Sequence, residues 1–148
     1  MRTTTEKHLI RQQIRTGSIP RDLVLPPSEP LSDFICQNGI GPGPLRLAQF
    51  RAALALRATP PLYSQEGKGD EALVHVKLFD PCGSATWYLL EWDGQEEAFG
   101  YVTGLAEDEY GYVPLRELAS VRGHLGIGIE IETTFLPTPL GQCRKATV

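Results

Sequence analysis

His75 stands in the run DEALVHVKLF, with Asp70 and Glu71 a few residues before it. An imidazole near a carboxylate can take and return a proton at neutral pH, so acid–base chemistry would be sought here first. Read with period two, its strand face carries Leu73, Lys77 and Phe79, and Glu91 on the following run completes a candidate pocket of His75, Lys77 and Glu91. His124 in RGHLG is a second imidazole that the fold could bring close, but no ligand spacing joins the two into a metal site. A lone histidine on a strand is more often structural than catalytic, so no catalytic residue, metal or cofactor is assigned. EGKGD (66–70) lacks the spacing and the following helix of a phosphate loop, and GIGPG (39–43) has the wrong context for dinucleotide binding. Neither a G-x-S-x-G elbow nor an H-E-x-x-H helix occurs, and Cys82 in DPCGS has no activating cation beside it.

The second kind of chemistry available is charge recognition. Glu107, Asp108 and Glu109 in LAEDEYGY, with Glu96 and Glu97 in the neighbouring loop, form the densest acidic group in the chain. Carried by loops at one end of a sheet, such carboxylates would imitate a row of phosphates. Tyr110, and Trp87 if it is left uncovered, would add aromatic contact area. The asymmetry of charge agrees: residues 1–59 hold eight Lys/Arg against four Asp/Glu, whereas residues 60–140 hold four against fourteen. An acidic module repels nucleic acid and attracts a basic protein groove. Lys7, Arg11 and Arg15, at helical spacing near the N-terminus, are the one weak candidate for nucleic-acid contact.

Positioning these groups requires one ordinary core. The 148 residues are 41% apolar and suffice for a single compact domain. Cys36, Cys82 and Cys143 are odd in number and widely spaced, which speaks for free thiols in a cytoplasmic protein. The N-terminal run has no apolar secretion signal, and no stretch approaches a membrane span. Thr3 and Glu6 fit a capping box ahead of a helix over about 4–16, which Gly17 stops. Six prolines between 20 and 44 describe a connector with one helical turn in SEPLSDFICQ. A second helix spans about 44–57 and ends before Pro60, with Leu47, Phe50, Leu54 and Ala55 as its stripe, Arg46 and Arg57 off the stripe's centre, and Arg51 nearer its edge.

Beyond Pro61 the period changes to two. Ala72–Phe79 reads as one strand with Ala72, Val74, Val76 and Leu78 on one face. In WYLLEWDG, Tyr88, Leu90 and Trp92 are expected to face the main core, with Trp87, Leu89 and Glu91 on the other side under the second helix. A four-residue loop at 93–96 pairs Leu90 with Phe99, Tyr88 with Tyr101 and Trp87 with Val102, avoiding the opposed glutamates of a two-residue turn. A strand near 110–113, a short helix begun by Pro114 and an edge strand at 127–131 complete the reading. The expected fold is α+β: a small, mainly antiparallel twisted sheet with one covering helix and short peripheral helices. A basic, Pro/Gly-rich leader (1–43) precedes a compact acidic domain (44–148).

The runs PPLYSQEGKGDEALVHVKLF, WYLLEWDG, FGYVTGL, EYGYVPLRELASVRGHLGIGIEIETTF and LPTPLG together resemble a family of small bacterial proteins known only as a domain of unknown function. Members are common on plasmids, integrated elements and phages, and the similarity covers about residues 47–141. It implies a compact α+β domain in a mobile-element context and carries no activity or catalytic residue with it. Three function classes follow. The first is a non-enzymatic binding protein that docks on a host or element protein through its acidic surface, a defence-system inhibitor being one form. The second is a small enzyme or ligand-binding domain built on His75. The third is a self-associating structural domain, a homodimer joined through the leader helix or the 127–131 edge.

Overall fold

A computed structural model of the chain describes residues 2–20, 22–36 and 41–146. Its elements in chain order are α1 (Thr4–Arg15), α2 (Gly43–Leu56), β1 (Leu73–Val74), β2 (Val76–Phe79), β3 (Thr86–Trp92), β4 (Glu97–Thr103), β5 (Glu109–Pro114), α3 (Leu115–Ser120), β6 (Glu130–Ile131), β7 (Thr138–Pro139) and α4 (Leu140–Ala146). The main sheet has five strands in the order β5-β4-β3-β2-β6, every pair antiparallel, and β1 pairs with β7 as a separate ribbon. The fold is thus α+β, as expected.

α1 begins as its capping signal dictates, with Thr3 Oγ1 accepting the Glu6 amide at 3.1 Å, and it ends before Gly17 at φ +87°. The leader does not stand apart from the domain. Ile14, Leu25, Leu31, Phe34 and Ile35, each at most 3% exposed, join Leu47, Phe50 and Leu54 of α2 in one core with Val76, Leu78, Leu89 and Ile131 of the sheet. The one expected helical turn of the connector is a 3-10 turn at Leu31–Asp33; Gln37, which closed that run, and the Gly39–Ile40 part of GIGPG lie outside the described residues.

Covered on all sides, α2 buries residues that a one-sided stripe would leave wet. Arg46 (1% exposed) and Arg57 (4%) are interior, contrary to their expected place off the stripe. Arg46 donates to the carbonyls of Ala119 and Ile129, and Arg57 to those of Pro26 and Phe135. Each guanidinium satisfies loop and helix-end oxygens that would otherwise be buried without a donor.

Ala72–Phe79 is not one strand. The chain breaks at His75, so Ala72 and Val74 pack in a second cluster with Tyr88, Leu90, Tyr101, Leu140 and Cys143, while Val76 and Leu78 join the α2 core. The expected edge strand at 127–131 shortens to Glu130–Ile131, with Ile129 and Ile131 buried and Ile127 partly so.

In the β3–β4 hairpin, Tyr88 faces Tyr101 and Trp87 faces Val102, as the four-residue loop requires. Leu90 does not face Phe99. It is an extra residue in a bulge, after which Glu91 pairs with Phe99 and Trp92 with Ala98. The bulge turns the end of the strand over. Trp92 therefore lies with Leu89 and the partly buried Trp87 in the α2 core, while Tyr88 and Leu90 pack in the second cluster. This corrects the expected grouping of Tyr88, Leu90 and Trp92.

Gly100 fixes how closely β3 and β4 approach, because a Cβ there would collide with the Tyr88 carbonyl group. Gly100→Ala is expected to cost about 2–3 kcal/mol, since backbone on both strands must move. Urea unfolding of the variant against the parent checks this, and a cost below about 0.5 kcal/mol would contradict it.

Candidate functional site

The bulge on β3 needs outside partners because β2 ends before it, and the PPLYSQ run supplies them. Trp92 donates its amide to the Pro60 carbonyl at 2.8 Å, a bond the neighbouring strand would otherwise provide. Gln65, 8% exposed, donates from Nε2 to the leftover Leu90 carbonyl at 2.8 Å and to Leu73 O at 2.9 Å, and its Oε1 accepts the Leu73 amide at 2.7 Å. Glu91, 4% exposed, accepts the amides of Tyr63 at 2.8 Å and Gln65 at 2.7 Å, one on each carboxylate oxygen. A buried carboxylate with both oxygens on backbone donors is a structural anchor, and charge-assisted bonds of this kind are among the stronger ones.

The anchored loop forms one wall of an open cleft of about 490 Å³. Leu90, Ala72 and Glu91 lie at its base, Tyr63, Gln65, Glu66 and the glycines 67 and 69 on the loop side, and Phe99, Tyr110 and Tyr112 on the sheet side. Phe99 stacks parallel to Tyr110 with centroids 6.1 Å apart and meets Tyr112 edge-on at 5.2 Å. Tyr63, Tyr110 and Tyr112 are 65%, 45% and 49% exposed, so three large amphipathic rings face solvent together. Tyr63 sits at φ +72°, a left-handed conformation that costs a bulky residue on the order of 1 kcal/mol. Its hydroxyl lies 2.9 Å from that of Tyr112, tying the loop to the sheet. That bond raises the Tyr112 phenol above its ordinary range, and the fields of Glu97 and Glu91 act in the same direction.

The residues singled out from the sequence distribute as follows. Tyr110 and Glu91 line the cleft. Glu97 begins β4 and Glu96 directly precedes it, whereas Glu107 and Asp108 precede β5 and Glu109 begins it, facing Val102. The two acidic groups therefore sit at opposite ends of the hairpin, about 20 Å apart at a strand rise of about 3.3 Å per residue, and do not form one row. Glu96 is paired with Arg116 at 2.9 Å and Arg51 at 3.4 Å, and Asp108 accepts the Gly104 amide at 3.1 Å. Trp87 is partly buried against the core. Lys7 and Arg11 are engaged by Asp33, through its carboxylate and its carbonyl. Lys77 Nζ lies 5.8 Å from the Tyr88 ring. Of His75, Lys77 and Glu91, only Glu91 reaches the cleft.

Tyr63, Gln65, Phe99 and Tyr112 were not singled out by sequence reasoning. The available signal was the alternation of Phe99 with Tyr101 and of Tyr110 with Tyr112, which puts four rings on one face of a hairpin that no helix pattern covers. Among the described residues, no helix is long and apolar enough to cross a membrane, and no group of three or more His, Cys, Asp or Glu is arranged to hold a metal ion.

His75 lies near the backbone of Arg57, the residue that caps the C-terminal end of α2. Desolvation lowers its pKa from 6.5, the Arg57 backbone bond opposes this, and the Arg57 charge adds to the lowering. A histidine whose folded pKa lies below its unfolded value binds fewer protons folded than unfolded as pH falls through 6.5, so stability drops toward acid. The parent is expected to be more stable at pH 7.5 than at pH 5.5, with His75→Gln flattening that dependence. Urea midpoints at both pH values test it, and an unchanged slope in the variant would count against it.

Neither a curated protein nor a solved structure matches this chain. A family model described as "Protein of unknown function (DUF2958)" matches residues 48–142, a span from within α2 to within α4 that contains the loop, the bulge, the aromatic strands and thus the whole cleft. The chain therefore belongs to the DUF2958 family.

Proposed function

We propose that this chain is a non-enzymatic binding protein of a mobile genetic element, acting in the cytoplasm, which docks on a host or element protein by receiving a basic segment of it in the tyrosine-walled cleft. The observation that carries this reading is the set of four aromatic rings around an open cleft of about 490 Å³, three of them tyrosines at least 45% exposed. Rings of this kind, with an apolar base and polar tips, favour flat or cationic side chains. The surroundings select the cation: Glu66 lines the cleft, the fields of Glu97 and Glu91 reach Tyr112, and residues 60–140 carry fourteen acidic against four basic groups. His75 does not line the cleft and offers it no base. The acidic surface thus contributes by attracting the partner, and the aromatic cleft by holding it.

The test is a titration of the full chain, followed by NMR, with a ten-residue arginine-rich peptide and with its glutamate-rich counterpart. The arginine peptide is expected to shift resonances of Tyr63, Tyr110 and Tyr112 saturably and to weaken as salt rises. Tyr112→Ala is expected to lower its affinity about tenfold. Equal response to both peptides, or full affinity in Tyr112→Ala, would contradict the reading.

A further inference from the structure

The outer side of β5 is the free edge of the main sheet beside the cleft. Its hydrogen-bonding parity follows from the ladder with β4. Leu115 donates to the Glu96 carbonyl at 2.8 Å, and the register from Glu97↔Pro114 to Val102↔Glu109 runs without a shift. Antiparallel pairs alternate between bonded and non-bonded, so Val113, Gly111 and Glu109 bond inward to β4. The N–H and C=O of Tyr110 and Tyr112 consequently point outward, and they find no partner among the described residues. Pro114, with no amide hydrogen, ends the outward run, and a Cβ at Gly111 would meet nothing within 4 Å. The edge is therefore short, open and bordered by the two tyrosine rings that wall the cleft.

We infer that a partner binds by strand addition: an extended segment with a basic residue at every second position lies along β5, exchanges backbone hydrogen bonds with Tyr110 and Tyr112, and sets its basic side chains over those rings. This rests on the cleft reading above and adds the backbone conformation and residue spacing of the partner. A strand beside β5 has its side chains alternating between the two faces, so only every second one reaches the tyrosine side. Charge decides between a foreign segment and a second copy of this chain. Each copy brings Glu96, Glu97, Glu107, Asp108, Glu109 and Glu117 to this region, and the nearby Arg116 is already bonded to Glu96. Two such edges repel, whereas a basic segment is attracted.

The experiment is residue-resolved amide hydrogen exchange on the full chain, with a ten-residue peptide of alternating arginine and threonine and with the same peptide N-methylated at alternate backbone nitrogens. The alternating peptide is expected to slow exchange at Tyr110 and Tyr112 about tenfold or more and to leave Gly111 and Val113, already bonded, unchanged. N-methylation on the pairing edge is expected to weaken binding about tenfold. If both peptides bind equally and shift the rings while the Tyr110 and Tyr112 amides exchange as before, strand addition is wrong and the cleft reading survives. If neither peptide binds, both readings fail. If those amides slow without peptide as protein concentration rises, the occupant is a second copy and the inference is overturned.

Discussion

A strand that meets a core helix on one face and a loop on the other must place each side chain on the correct side, and β3 does this by turning over at Leu90. The bulge sends Trp92 into the core under α2 and leaves the Leu90 carbonyl and the Trp92 amide without strand partners. Pro60 and Gln65 take up those groups, and the Glu91 carboxylate takes the Tyr63 and Gln65 amides. Without the bulge, strict alternation would turn Glu91 to the α2 side of the sheet beside Leu89, where its desolvation would be costly. The same displacement that protects the core therefore builds the loop wall of the cleft.

The rest of the molecule holds that arrangement rigid. α2 is enclosed by the leader on one side and the sheet on the other, and its two buried arginines join segments far apart in the chain: Arg46 to Ala119 and Ile129, Arg57 to Pro26 and Phe135. Behind the cleft, α4 packs Leu140 and Cys143 on Tyr88 and Tyr101, and Arg144 lies over the Tyr101 ring while pairing with Asp70 at 3.0 Å. The cleft is thus made of a tethered loop and an edge strand on a supported sheet, with the open edge of β5 as its outer border. A partner would meet preformed groups and lose little in ordering them.

Much of the fold was legible because its signals are local. The capping box gave the start of α1, the prolines bounded α2, and the unfavourable pairing of glutamates in a two-residue turn selected the loop that sets Tyr88 opposite Tyr101. The misplaced features all depend on groups distant in sequence. A period-two reading has no means of inserting one extra residue, so the bulge at Leu90 and the fate of Glu91 and Trp92 were hidden. The break at His75, which passes the chain from one cluster to the other, is equally invisible when every second residue from Ala72 to Leu78 is apolar and buried. Arg46 and Arg57 looked peripheral on a helical wheel because the oxygens they satisfy belong to other elements. The acidic residues stand out by type, but the β4–β5 register separates them into two groups, and the aromatic face of that hairpin emerges only once the two strands are paired.

The most direct test of this account is amide exchange of the parent chain against Glu91→Gln, read at Tyr63 and Gln65, with the Leu62 and Gly67 amides marking the rate of unbonded loop positions. The two amides rest on different carboxylate oxygens, and a glutamine puts a donor NH2 in place of one of them, so it cannot accept both amides where they stand. In the parent, Tyr63 and Gln65 are expected to exchange far more slowly than Leu62 and Gly67, and in the variant at least one of them is expected to speed up about tenfold or more. Equal exchange at all four positions in the parent, or unchanged protection in Glu91→Gln, would show that the carboxylate does not hold the loop, and the proposed origin of the cleft would be wrong.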